Sequence, residues 1–331
     1  MSDHLAMGPG REFDAVRALL AQWGPLARGV GDDGAVLDVP AGEKLVVSTD
    51  STVEDVHFRR EWLSADEIGW RATQAALSDL AAMGAAPLGV LLALTVPRAW
   101  REELPALASG IGAAMQQVGA AIVGGDVTDG DRLALAITVL GHAPRPLSRA
   151  GARRGDTLYV TGSLGGPGAA LSAWLAGSTP DAAARARFAR PEARIAAGLW
   201  LAQQGATAAL DLSDGLAGDV AHLAAASGVA CVLELDAIPC VPGASVDAAL
   251  QSGEEYELLV AAPSLDTAAF AQAHGGLELT AIGRVEAVGT PPSGGAPSGS
   301  VQGSAAQPGV VRAERGGAPV ALPGAHDHFA P

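Results

Sequence analysis

Apolar runs that stop at an aspartate recur along this chain and constrain its fold more than any other feature. A short apolar run fits a buried strand or helix, so a carboxylate at its end lies at the rim of a core. Several such carboxylates repel one another unless divalent cations bind between them. Any one aspartate also suits a turn or a helix N-cap, so only the complete set indicates a metal site. The set comprises Asp32 and Asp33 in VGDDGAVL, Asp50 in LVVSTDS, Asp79 in ALSDL, Asp126 in AIVGGDV, and Asp211 and Asp214 in ALDLSDG.

The composition predicts a globular protein with a large core. The chain has 331 residues, of which 49% are hydrophobic, and domain-size statistics favour two domains for this length. Its N-terminus lacks a basic start followed by a long apolar stretch, and no later run is apolar enough to span a bilayer. We therefore expect a cytoplasmic protein that has no membrane partner, with both cysteines reduced.

The charge excludes some ligands. A formal net charge of -15 disfavours nucleic acid, because phosphate backbones are bound by stripes of Lys and Arg. Lys44 is the only lysine and lies in a polar turn, so neither a P-loop nor the strand lysine of a protein kinase can be built. Any nucleotide must be held by metals, backbone amides and arginine, for which Arg149 is a candidate.

The first half of the chain predicts an α+β layer, with a sheet that carries helices on one face. Ser64 and Glu67 have the spacing of a capping box, and Gly84 is a suitable helix end. The predicted strands are Ala35–Val39, Leu45–Thr49, Leu88–Val96 and Leu133–Leu140, and the predicted helices are Ala65–Met83 and Arg101–Val118.

The second half, from residue 144, alternates strands and helices and predicts a separate α/β unit. Residues 289–309 are rich in Gly, Pro and Ser, which predicts a flexible linker. The chain end, which includes Phe329, is expected to dock again. The predicted strands are Thr157–Val160, Ala208–Leu212, Ala230–Leu235, Glu257–Ala261 and Leu277–Val285, and the main helices are Ala169–Ala176, Glu192–Gln203 and Leu216–Ala226.

Several motifs allow two interpretations. GSLGGPG at residues 162–168 suits a phosphate cradle or a tight turn equally well. TDGDR predicts a hairpin turn that contains Asp129 and Asp131. The glycines before Asp126 allow close approach of a bulky group. Glu254 and Glu255 suit a solvated strand end.

The ordered motifs resemble the thiamine-monophosphate kinase family over nearly the whole chain. They are GDDGAVL, STDSTVEDVHF, LSDLAAMGA, GGDVTDG, SRAGARRGDTLYVTG, LDLSDGL, SGEEYELL and HDHF. The resemblance implies a two-domain aminoimidazole-ribonucleotide-synthetase-like fold. Residues 1–143 would form an N-terminal domain that binds ATP and metal and dimerises, and residues 144–331 would form the C-terminal α/β domain. Related synthetases share the acidic motifs, whereas the VxxxHF and HDHF segments favour the thiamine enzyme.

The resemblance also assigns site residues. The metal ligands would be Asp33, Ser48, Thr49, Asp50, Asp79, Asp126, Asp211 and Asp214. ATP would contact Gly125, Asp126, Arg149 and Ser213, and the thiamine substrate would contact His57, Glu254 and His326. This chain has Ser252 where the family usually has glycine, and His326 where the family has an aromatic residue.

The implied activity is ATP-dependent phosphorylation of thiamine monophosphate to thiamine diphosphate in a homodimer. Several Mg²⁺ ions would assist direct in-line transfer. No catalytic base is expected, because the second pKa of a phosphate monoester lies near ~6 and the nucleophile is already ionised. Two alternatives stay open: a sister ATP-dependent synthetase that activates a carbonyl or amide oxygen, and a non-catalytic Mg-nucleotide sensor.

Overall fold

The computed structural model describes residues 4, 11–31, 33–287 and 309–322. Asp32, all but the last residue of the predicted linker, and the chain end with His326 and Phe329 lie outside these ranges. Residue contacts divide the chain into two compact units, one of residues 1–146 and 169–200 and the other of residues 147–168 and 201–331.

The first unit is built on a four-stranded mixed sheet. Its elements are α1 (Arg11–Trp23), β1 (Lys44–Val53), α2 (Ala65–Ala82), β2 (Ala86–Thr95), α3 (Leu104–Val118), β3 (Ala121–Thr128), β4 (Ala134–Ala143), most of α4 (Gly166–Leu175), α5 (Ala182–Ala189) and most of α6 (Ile195–Gln203). The strand order is β1-β4-β2-β3; β4 is antiparallel to β1 and β2, and β2 is parallel to β3. Helix α2 packs on the sheet, α3 on α2, and α1 on α3. This arrangement confirms the predicted mixed sheet with helices.

Helix α2 forms where the sequence predicts it. Its N-terminus has the capping box, in which the Ser64 N–H donates to Glu67 Oε2 at 3.0 Å. Gly84 follows the last turn with a φ of 58°, a conformation that glycine adopts without strain. A Cβ on Gly110 of α3 would lie 1.9 Å from Asp66 O, so this glycine allows α2 and α3 to pack closely.

The second unit is built on a seven-stranded sheet. Its elements are β5 (Thr157–Thr161), β6 (Ala208–Asp211), α7 (Leu216–Ser227), β7 (Ala230–Glu234), α8 (Val246–Gln251), β8 (Leu258–Ala262), α9 (Thr267–Ala273), β9 (Leu279–Glu286), β10 (Val310–Arg315) and β11 (Ala318–Val320). The strand order is β11-β10-β7-β9-β5-β8-β6. The apolar inner residues of these strands form one core with α7. The two sheets with their helices agree with the predicted two-domain fold.

Two local predictions are wrong, and one strand was not predicted. Residues 35–39 form no strand, and Val36 is 97% exposed, because no neighbouring strand covers this apolar run. Strand β3 has no counterpart among the predicted strands, because its glycines weaken the strand signal. TDGDR is not a hairpin turn, because β2 lies between β3 and β4 in the sheet. An Asp-Gly pair indicates a turn but does not determine which strands pair.

No helix in the described part of the chain has the length and apolar composition needed to cross a bilayer. The cytoplasmic location stays a prediction.

Candidate active site

In the first unit, two of the candidate metal-binding side chains are in direct contact. Ser48 on β1 donates its hydroxyl to Asp79 Oδ2 of α2 at 2.5 Å. Because side chains alternate along a strand, Asp50 points to the same face as Ser48, whereas Thr49 points to the opposite face. The Thr49 hydroxyl lies 3.2 Å from Thr138 Oγ1 on that opposite face. The Ser48 and Asp79 oxygens therefore lie together, and the Thr49 hydroxyl is directed away from them.

Asp126 lies at the other edge of the same sheet. The strand register places Ser51, Ala136, Ala93 and Asp126 in one row across the four strands. Ser51 neighbours Asp50 and has the opposite orientation, so Asp126 and Asp50 point to opposite faces. Three strand spacings separate the two edges, which amounts to about 14 Å. One chain therefore cannot bring Asp50 and Asp126 to one ion.

Three other predicted site residues of the first unit, Asp33, Gly125 and His57, lie before β1, in β3 and after β1, respectively. Asp33 is exposed in the irregular segment before β1. A Cβ on Gly125 would lie 2.0 Å from Leu92 O, so glycine at this position allows β3 to pair with β2. His57 follows β1, and its Nδ1 accepts a hydrogen bond from the Val53 N–H at 3.2 Å.

In the second unit, the candidate residues gather at the start of α7. Asp211 ends β6 and is buried, while Ser213 and Asp214 form the turn before the helix. Asp219, which is not among the predicted site residues, is a buried carboxylate in the first turn of α7 and accepts from the Asp214 N–H at 3.2 Å. The sequence signal that could have identified Asp219 is its position five residues after Asp214, at the start of a helix.

The electrostatics of Asp219 show how close these charges are. Burial raises the pKa of Asp219 to about 8, and repulsion from Asp211 and Asp214 adds to this increase. Arg149 opposes the shift, so its charge also acts at this position. The charges of Asp211, Asp214 and Arg149 thus act on the Asp219 carboxylate.

The backbone of Glu254 is hydrogen-bonded to the turn that contains Ser213 and Asp214. Glu254 and Tyr256 have φ values of 60° and 54°, which are rare for residues other than glycine and often mark functional sites. The Glu254 N–H donates to Ser213 O at 2.8 Å, and the Tyr256 N–H donates to Leu212 O at 2.9 Å. These bonds fix Glu254 beside the Asp211–Asp214 turn.

The interpretation of Glu255 as part of a solvated strand end is wrong. Its side chain is buried and accepts from the Gly165 N–H and the Ser252 hydroxyl, both at 2.5 Å. Ser252 Oγ also accepts from the Gly168 N–H at 3.0 Å. These two amides of the GSLGGPG segment bind protein groups, which favours the tight turn over a phosphate cradle. Ser252 supplies two bonds that glycine could not make.

The oxygen chemistry of these residues suits Mg²⁺, although neither unit forms a complete metal cage. Within residues 4, 11–31, 33–287 and 309–322, no three His, Cys, Asp or Glu side chains are grouped to hold an ion. Mg²⁺ usually takes only one or two carboxylates and fills its other positions with water and phosphate oxygens. Pairs such as Ser48 with Asp79 fit that requirement.

Comparison with known proteins supports the two-domain fold. Residues 31–143 match the family model of the AIR synthase related protein, N-terminal domain, and residues 153–291 match the C-terminal domain model. The fold and the acidic site thus define a two-domain protein of the AIR synthase related class. Thiamine-monophosphate kinase from Salmonella typhimurium is 36% identical over 294 residues, which cover 84% of this chain and 89% of that protein. The chain belongs to the thiamine-monophosphate kinase family.

Solved structures of similar proteins also support the family assignment. The thiamine-monophosphate kinase of Stenotrophomonas maltophilia has a TM-score of 0.73 and 36% identity, with 83% of this chain and 93% of that chain covered. AaThiL complexed with AMPPCP and TMP has a TM-score of 0.72 and 27% identity, with 98% of this chain and all of that chain covered.

Proposed function

We propose that this protein transfers the γ-phosphoryl group of ATP to thiamine monophosphate and forms thiamine diphosphate and ADP. The observation that carries this proposal is the match to AaThiL over 98% of this chain, since that structure holds AMPPCP and TMP. The acceptor phosphate is ionised at neutral pH, so the enzyme must position two anions and neutralise their charge rather than remove a proton.

We further propose that several Mg²⁺ ions supply this neutralisation when bound. The contact between Ser48 and Asp79 and the carboxylates around Asp219 support ion binding in each unit. The proposed ligands are Asp33, Ser48, Thr49, Asp50, Asp79, Asp126, Asp211 and Asp214. In the same proposal, ATP contacts Gly125, Asp126, Arg149 and Ser213, and the thiamine side contacts His57, Glu254 and His326.

We propose a homodimer through the open face of the first sheet. Leu45 and Val47 of β1 are 51% and 54% exposed on this face, whereas α2 packs on the opposite face, where Ser48 contacts Asp79. Asp126 points to the open face, so a second copy packed there brings Asp126 to the subunit interface. We assign ATP and metal binding and dimerisation to residues 1–143 and the C-terminal domain to residues 144–331, while contacts group residues 169–200 with the first unit.

The test is a product assay with ATP, Mg²⁺ and thiamine monophosphate. We expect thiamine diphosphate and ADP in equal amounts, and no turnover after EDTA treatment until Mg²⁺ is restored. Release of ADP and free phosphate with unchanged thiamine monophosphate would instead identify a synthetase that acts on another acceptor. ATP binding without any turnover would identify a sensor.

A further inference from the structure

A compact turn follows β1 and carries His57. The Val56 and His57 N–H groups both donate to Val53 O, at 3.2 and 2.9 Å. The Asp55 N–H donates to Phe58 O at 2.8 Å, and Asp55 has a left-handed φ of 64°. The backbone of this turn is therefore held by its own hydrogen bonds, at some conformational strain.

Glu54 connects the turn to two other segments of the first unit. Its Oε2 accepts from Trp100 Nε1 at 2.9 Å and from the Leu133 N–H at 3.0 Å. The Glu54 N–H donates back to Leu133 O at 2.9 Å. Phe58, which is 1% exposed, places its ring edge-on to Trp100. One carboxylate oxygen thus joins the turn to the 3-10 helix Arg98–Glu103 and to the start of β4.

The turn also selects one tautomer of His57. Nδ1 accepts from the Val53 N–H, so the proton of the neutral ring lies on Nε2. The second ring nitrogen is therefore a hydrogen-bond donor, which suits a phosphate-bearing ligand.

We propose that Glu54 is a positioning residue that keeps His57 in this orientation, so that Nε2–H donates to thiamine monophosphate. The inference rests on the proposed function, because it takes His57 to lie at the substrate. Loss of the carboxylate removes the acceptor shared by Trp100 and Leu133, which leaves the Glu54 N–H bond to Leu133 O and the Phe58–Trp100 ring contact to hold the turn less firmly.

The experiment combines substrate kinetics with ¹⁵N NMR of the histidine rings, in which a His57→Gln variant assigns the His57 signals. In Glu54→Ala and in Trp100→Phe, we expect the KM for thiamine monophosphate to rise roughly 10-fold, the effect of one lost hydrogen bond. The KM for ATP should stay near its wild-type value. The His57 signals should move from the Nε2–H pattern towards a mixture of tautomers. Glu54→Gln keeps an acceptor oxygen and should restore most of both readouts.

Glu103→Gln is the matched control. Glu103 pairs at the surface with Arg60, which lies 4.3 Å from the Trp100 ring, so this variant removes a nearby carboxylate without touching the turn. It should behave as wild type in both readouts. Wild-type tautomer signals or a wild-type KM for thiamine monophosphate in both Glu54→Ala and Trp100→Phe would overturn the inference. If the wild-type protein does not phosphorylate thiamine monophosphate, the proposed function fails, and the NMR comparison still decides whether Glu54 orients His57.

Discussion

At the residue scale, the carboxylates differ in what surrounds them. Asp79 already contacts a hydroxyl, and Asp219 is buried beside two other acids, whereas Asp50 and Asp126 are kept apart by the sheet. One chain therefore keeps Asp50 and Asp126 apart, and like charges surround Asp219 unless cations balance them. Charges gathered in this way serve ligand binding at the expense of stability.

The first residue-scale prediction concerns Asp50, Asp126 and Asp214. Replacement of any one by asparagine preserves shape but removes a charge that balances Mg²⁺. We expect kinase turnover at limiting Mg²⁺ to fall roughly 100-fold, while the Tm of the metal-free protein stays the same or rises. Steady-state kinetics over a Mg²⁺ titration and thermal unfolding provide the measurements.

Asp129→Asn and Asp131→Asn are the controls for this series. Both residues lie in the connection between β3 and β4, and Asp129 forms an exposed ion pair with Arg101. Exposed pairs of this kind contribute little to stability, so both variants should keep most of the activity. Equal losses in the controls and the three site variants would contradict the metal assignment.

At the element scale, Glu67 has two roles at the start of α2. It completes the capping box, and both of its oxygens accept from Arg185 of α5 at 2.8 Å. Burial alone would raise the pKa of Glu67, but the hydrogen bonds from Arg185 and Ser64 outweigh it, and the pKa lies below its ordinary value of 4.5. The ionised form therefore stabilises the fold.

We predict that Glu67→Gln removes the ion pair with Arg185 but keeps the cap, because glutamine can still complete a capping box. The variant therefore measures the contribution of the ion pair to stability. The depressed pKa means that the contribution is complete above pH 4.5 and is lost as the pH falls through the folded pKa. Glu67→Gln should thus be less stable than wild type by about 1 kcal/mol at pH 7, and the difference should vanish in acid.

Denaturant unfolding at several pH values measures this difference. Asp66→Asn is the control, since Asp66 lies in the same helical turn and pairs with Arg190 at the surface. Its effect should be smaller. A Glu67→Gln difference that persists at low pH would show that the loss arises from packing rather than charge.

At the scale of the whole molecule, the open face of the first sheet is the proposed dimer interface. We predict that Val47→Glu, which places a charge on this face, yields a monomer in multi-angle light scattering and loses most kinase activity. Leu175→Glu is the matched control, because Leu175 is likewise an exposed apolar residue, 62% accessible, but belongs to α4 and not to the sheet. A dimeric and active Val47→Glu protein would rule out this face as the interface.

The amino-acid sequence alone predicts the elements whose signals are local. Ser64, Glu67 and Gly84 act through neighbouring backbone groups, so the bounds of α2 follow from their spacing. The apolar runs of β1, β2 and β4 likewise predict strands, and the aspartates that follow apolar runs, such as Asp50 and Asp126, identify candidate ligands. The ordered motifs also allow the family to be predicted from the sequence, because they consist of residues needed for chemistry rather than for packing.

Which residues share a face, an edge or a buried cluster follows from the tertiary structure and not from local sequence. Asp50 and Asp126 lie at opposite edges because β4 and β2 lie between their strands, and they point to opposite faces because of the strand register. No local pattern encodes either the strand order or the register. Asp219 and Glu255 are buried because segments distant in sequence cover them, whereas polar runs alone predict exposure. The physical reason is that strand pairing and burial depend on contacts between segments far apart in the chain, whereas caps and apolar periods depend on neighbours within one or two turns.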